Sequence, residues 1–143
     1  MRALIIDDYE GDLKLCERAL HRSGAFAAIA MRSSAYDALE LIHGDAGNAP
    51  DVVFVDLNMP EMTGLEFLMF HEDLQRRSGA KPHLVVLTGD DRKLAPEVVA
   101  NLPSLGAQLQ KPLTQREIRD VANQLQRVER KSARHDRGDS AAR

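Results

Sequence analysis

Residues Asp51 to Leu68 read DVVFVDLNMPEMTGLEFL, and the first half of that stretch decides the fold. Val52 to Val55 is an uninterrupted apolar run rich in β-branched residues, the pattern of a strand buried on both faces of a parallel sheet. The run stops at Asp56, so a carboxylate stands where the strand leaves the sheet. The carboxyl ends of strands are where open α/β sheets place their ligands. Leu57, Asn58, Met59 and Pro60 then form a stiff exit loop, Thr63 and Gly64 add turn chemistry, and Leu65 to Gln75 reads as helix. An acid placed in this way is a nucleophile, a metal ligand, or only a loop or capping acid. The rest of the chain decides among the three.

Upstream, Ala3 to Ile6 is a second short apolar run that ends in acids, Asp7 and Asp8. A helix-like stretch follows through about Arg22, with Leu13, Cys16 and Leu20 on one face. Ala27 to Met31 is a weak strand candidate, and Ser34 opens a helix carrying Ala35, Ala38, Leu39 and Ile42 at helical spacing. Downstream, Leu84 to Leu87 forms a fourth apolar strand that ends at Thr88 and Gly89. Leu94 to Leu102 reads as a short helix between Pro96 and Pro103. Gln108 to Gln110 is a brief edge strand that ends at Lys111-Pro112. Thr114 and Glu117 make a T-x-x-E capping box, and Ile118, Val121, Leu125 and Val128 line one face of a last helix. Five strands alternating with helices predict an α/β, doubly wound, five-stranded parallel sheet of order 2-1-3-4-5.

The composition, 43% hydrophobic and 29% charged over 143 residues, is that of one globular domain, with no run approaching a membrane span. A cytoplasmic protein is expected, with neither a membrane nor nucleic acid among its partners. Cys16 is the only cysteine and sits among apolar helix positions, so it is expected to pack rather than react. His21, His43, His71, His83 and His135 show no metal-ligand spacing and are expected at the surface or its boundary. The formal charge of -3 is uneven. Arg130, Lys131, Arg134, Arg137 and Arg143 against Asp136 and Asp139 give the end a net +3, leaving -6 elsewhere. Beyond Glu129 apolar periodicity is lost, so the expected organisation is a domain over 1–129 and a basic, disordered tail over 130–143.

In a 2-1-3-4-5 sheet Asp7, Asp8 and Asp56 become neighbours. Three adjacent carboxylates repel one another unless a cation sits among them, and hard oxygen donors favour Mg²⁺. Thr88 offers a hydroxyl and Lys111 a point charge suited to a phosphoryl oxygen. Together these groups are the equipment for in-line phosphoryl transfer onto Asp56, giving an acyl phosphate. Taken singly each has a plain structural reading as a cap, a strand end or a turn; their occurrence at four successive strand ends outweighs it.

From Met1 to about Val128 the chain resembles a response-regulator receiver domain of two-component signalling, of the stand-alone type. The resemblance rests on Asp7-Asp8, on DLNMPEMTGLEFL with Asp56, on Thr88, and on Lys111-Pro112. It implies a CheY-like, flavodoxin-like three-layer sandwich and a phosphoacceptor, Asp56, rather than an ordinary enzyme. It also implies Mg²⁺ held by Asp8, Asp56, the Asn58 backbone carbonyl and, through water, Asp7, with Thr88 and Lys111 on the phosphoryl group and a cis Lys111-Pro112 bond. The implied donor is a sensor histidine kinase or histidine phosphotransfer protein. Output would pass to an unknown downstream protein or to a homodimer through the helix 4, strand 5, helix 5 face. A phosphorelay shuttle or phosphate sink is the alternative. Receivers usually carry an aromatic three residues before the lysine; here that residue is Gln108, and the switch is expected to run instead through the Gly89 to Leu94 loop. A haloacid-dehalogenase-like phosphatase uses a similar residue set, but there the nucleophile follows the first strand and the acidic pair comes late, the reverse of the order here.

Overall fold

The structure is a computed structural model that describes residues 1–141, with side chains described as far as Arg137. Its elements are β1 (Arg2–Ile6), α1 (Glu10–Ser23), β2 (Ala28–Arg32), α2 (Ala35–His43), β3 (Val52–Asp56), α3 (Gly64–Ser78), β4 (His83–Thr88), α4 (Pro96–Ala100), β5 (Leu105–Gln110) and α5 (Gln115–Ala141). The sheet order is β2-β1-β3-β4-β5 with every pair parallel, which is the doubly wound arrangement expected.

The central strands read as solid apolar runs because both of their faces are covered. Leu4, Ile6, Val53, Val55, Leu84 and Val86 point into one core with Ala38 and Ile42 of α2 and Phe67 and Leu68 of α3. Their alternates Ala3, Ile5, Val52, Phe54, Val85 and Leu87 point into the other, with Leu13 and Leu20 of α1 and Ile118, Val121 and Leu125 of α5. Each fully buried side chain of this size stabilises the fold by about 1.5–3 kcal/mol relative to exposure. Phe54 meets Phe26 edge to face, centroids 6.2 Å apart. Helix entries follow the local sequence: Ser34 and Thr63 accept the Asp37 and Glu66 backbone N–H groups. At α5 the capping box is reciprocal, since Thr114 Oγ1 accepts from Glu117 N while Glu117 Oε1 accepts from Thr114 N, both at 3.1 Å. Cys16 packs between α1 and the second core, and burial pushes its thiol up to about 12, as its apolar setting implied.

Four features differ from the sequence reading. Strand β5 starts at Leu105, three residues earlier than expected, because Gly106 has no side chain to collide with the His83 ring on β4. A bulge between Leu84 and Val85 absorbs the change of register. Helix α4 spans only five residues, opened by Pro96 and finished before Leu102, which turns into the first core. His71 is not at the surface: it is fully buried on α3. Its Nδ1 lies 3.0 Å from His43 Nε2, and His43 Nδ1 lies 2.6 Å from Ser78 Oγ, so hydrogen bonding makes a neutral ring tolerable inside. Lastly, residues 130–141 continue α5 rather than lose structure; residues 142 and 143 lie outside the described residues. No Pro or Gly interrupts the chain from Gln115 to Arg137, so backbone hydrogen bonds carry the helix although every side chain from Gln126 to Arg137 is exposed. No described helix is long and apolar enough to cross a membrane.

Candidate functional site

Three strand ends are tied together before any side chain is considered. Leu57 N donates to Leu87 O at 2.9 Å, joining the end of β3 to β4, and Lys111 N donates to Thr88 O at 2.7 Å, joining β4 to β5. Asp7 follows β1 and Asp56 ends β3; both are buried, whereas Asp8 is exposed. The exit loop after Asp56 is held by burial of Met59 and Met62. Gly64 closes it, because a Cβ there would stand 2.6 Å from Leu57 Cα and 2.7 Å from Asp56 O. Only glycine lets α3 approach the backbone of the acid that closely.

Asp7, Asp8 and Asp56 each present a carboxylate oxygen within 4.8 Å of the others. Lys111 Nζ reaches across from β5 to Asp7 Oδ2 at 2.6 Å, Asp12 Oδ2 at 2.9 Å and Asp56 Oδ1 at 3.4 Å. Burial pushes the Asp56 carboxyl up, Asp7 adds to that, and Lys111 with the Asn58 N–H pulls the other way. Burial alone would lower the Lys111 ammonium, but its bonds to Asp7 and Asp12 and the charge of Asp56 outweigh it and raise the pKa. A trio of carboxylates, two of them buried, with one ammonium shared by Asp7 and Asp56, leaves an excess of negative charge in hard oxygen donors. That donor set fits Mg²⁺. The Lys111-Pro112 peptide is cis.

Residues 3–123 match the family described as the response regulator receiver domain. The chain belongs to that family. It is also 30% identical over 129 residues to the two-component response regulator ORR1 of Oryza sativa subsp. japonica, covering 85% of this chain and 54% of that protein. It thus spans about half the length of that curated relative. Among solved structures it resembles a response regulator receiver domain protein from Clostridium thermocellum, with TM-score 0.70, 22% identity, and 92% and 97% of the two chains covered. A two component response regulator from Cytophaga hutchinsonii gives TM-score 0.75 at 20% identity, with 88% and 96% covered. The receiver domain of the histidine kinase CKI1 from Arabidopsis thaliana, complexed with Mg²⁺ and BeF₃⁻, gives TM-score 0.70 at 24% identity, with 90% and 89% covered. These likenesses establish the CheY-like fold.

Within this receiver the site residues read from the sequence do not all sit alike. Asp7, Asp8, Asp56 and Lys111 converge. Asn58 directs its backbone N–H toward Asp56 Oδ1, at 3.4 Å. Thr88 is buried, and its hydroxyl donates to Asp90 O at 2.5 Å, in the loop after β4. Gly89 leaves open space, with no atom within 4 Å of where a Cβ would stand. Gln108 has a partner that sequence reasoning did not foresee: its Oε1 accepts the Leu94 N–H at 2.7 Å, at the far end of that same loop. Asp12 was also missed. Its signal lay in its place on the first turn of the helix that follows Asp7-Asp8, which turns its carboxylate toward the strand ends.

Proposed function

We propose that this receiver of two-component signalling takes up one phosphoryl group on Asp56 and signals by changing what it binds. The observation that carries the reading is the convergence of Asp56 with Asp7, Asp8 and Lys111 at neighbouring strand ends. Asp7, Asp8 and Asp56, with the Asn58 backbone carbonyl, would hold Mg²⁺. When bound, Mg²⁺ supplies charge neutralisation for the carboxylates and for phosphoryl oxygens.

An Asp56 carboxylate oxygen attacks phosphorus in line, the bond from phosphorus to the donor atom breaks, and the leaving group departs with that electron pair. For a histidine kinase or histidine phosphotransfer protein the bond broken is P–N, and the imidazole is released. Lys111 donates to a phosphoryl oxygen, and Thr88 turns its hydroxyl from Asp90 O to another. The chemistry needs little else, because phosphoryl transfer is governed by positioning and charge. Release of Asp90 O by Thr88 frees one end of the β4–α4 loop, and this moves the α4, β5, α5 face. That face then engages a downstream protein or a second copy of the chain.

The test is intact-mass and ³¹P measurement after incubation with acetyl phosphate and Mg²⁺. The wild-type chain is expected to gain one phosphoryl group and Asp56→Asn none. Labelling that persists in Asp56→Asn would remove Asp56 from this role.

A further inference from the structure

Lys111 Nζ donates two hydrogen bonds, to Asp7 Oδ2 and to Asp12 Oδ2, and meets Asp56 Oδ1 only as an ion pair. Asp56 holds the longest of the contacts at 3.4 Å, against 2.6 Å to Asp7 and 2.9 Å to Asp12, so the ammonium is drawn toward α1 and away from the phosphoacceptor. A phosphoryl group on Asp56 would compete with the carboxylates of Asp7 and Asp12 for this ammonium.

We infer that Asp12 is a positioning residue that competes with the phosphoryl group for Lys111, and thereby sets how readily the phosphorylated state forms. The inference rests on the phosphoacceptor reading above and deepens it. Asp7 and Asp12 differ in what they lose when Lys111 leaves. The Asp7 side chain is 3% exposed, so its carboxylate would be stranded without solvent, whereas the Asp12 side chain is 34% exposed and is rehydrated at small cost. Asp12 also lies outside the Asp7, Asp8, Asp56 trio, so a cation bound there would not neutralise it. It stands in the first turn of α1, where the unpaired N–H groups of the helix favour a carboxylate. Asp12 is therefore the partner Lys111 gives up, and its pull is the cost set against forming the phosphorylated state.

The experiment measures BeF₃⁻ binding in the presence of Mg²⁺, by titration calorimetry or ¹⁹F NMR, for the wild-type chain, Asp12→Asn, Asp12→Glu and Lys111→Ala with and without Asp12→Asn. A partly exposed pair of this kind is worth no more than about 1 kcal/mol, so Asp12→Asn should bind BeF₃⁻ about two- to fivefold more tightly. Asp12→Glu should return toward wild type, and Asp12→Asn should have no effect once Lys111 is alanine. Unchanged or weaker binding by Asp12→Asn overturns the inference. Tightening that survives in the Lys111→Ala background overturns it too, because Asp12 would then act by another route. A wild-type chain that neither binds BeF₃⁻ nor gains a phosphoryl group refutes the phosphoacceptor reading itself, a failure distinct from that of Asp12.

Discussion

At position 108 an amide faces the β4–α4 loop where receivers usually present a ring. A ring couples to a phosphorylation site by choosing between burial and exposure; an amide has little apolar area to gain and a strict need for partners. Gln108 meets that need by accepting the Leu94 N–H, while Thr88 holds Asp90 at the other end of the segment. The loop is thus tethered twice by side chains, and its far end is fixed to β5. Gln108→Ala removes the second tether. A hydrogen bond of this type contributes about 1 kcal/mol, so exchange of the Leu94 amide with solvent should accelerate about fivefold in Gln108→Ala. Unaltered protection of Leu94 would mean that the loop is held by other contacts.

Among the elements, α5 joins two helices of different character in one run. From Ile118 to Leu125 it is a packed amphipathic helix, with Ile118, Val121 and Leu125 in the core beside α1. From Gln126 to Arg137 every side chain is exposed, Arg130, Arg134 and Arg137 among them. A segment that buries nothing adds little to global stability, since helix propensity supplies only tenths of a kcal/mol per residue. We expect a chain ending at Glu129 to melt within about 1 °C of the full chain and to take up the phosphoryl group equally well, consistent with a domain bounded at 1–129. A melting point several degrees lower, by calorimetry, would show that the basic extension supports the fold.

For the molecule as a whole, the histidine pair between α2 and α3 links stability to pH. Burial, with the His43 ring adding to it, lowers the His71 pKa to about 4, and burial also lowers that of His43. A histidine with a depressed folded-state pKa binds its proton more readily when unfolded, so stability falls as pH drops from the unfolded value near 6.5 toward 4. His71 alone should cost about 2 kcal/mol of stability between pH 7 and pH 5. Asp56 acts in the opposite sense, because its raised carboxyl pKa makes the folded state the better proton binder. Comparison with His71→Gln isolates the histidine contribution: urea unfolding at pH 7 and pH 5 should show a smaller loss in the variant. Equal losses in both chains would place the acid sensitivity elsewhere.

What the sequence determined by itself was whatever depends on local pattern. The apolar runs Ala3 to Ile6, Val52 to Val55 and Leu84 to Leu87 could only be strands covered on both faces, and their alternation with amphipathic helices left one sheet order to expect. Because each run ends in a polar residue, the positions of Asp7, Asp8, Asp56 and Thr88 followed from strand ends alone. The tertiary structure decided the partners. Lys111 and Asp12 are 99 residues apart and Lys111 and Asp7 are 104 apart, so no periodicity could show one ammonium shared among carboxylates from separate elements. The Gln108 tether and the His43–His71 pair are likewise contacts between elements. Of these only the burial of His71 contradicted expectation: a polar side chain is read from sequence as seeking water, and only packing reveals that a hydrogen-bond partner already waits inside.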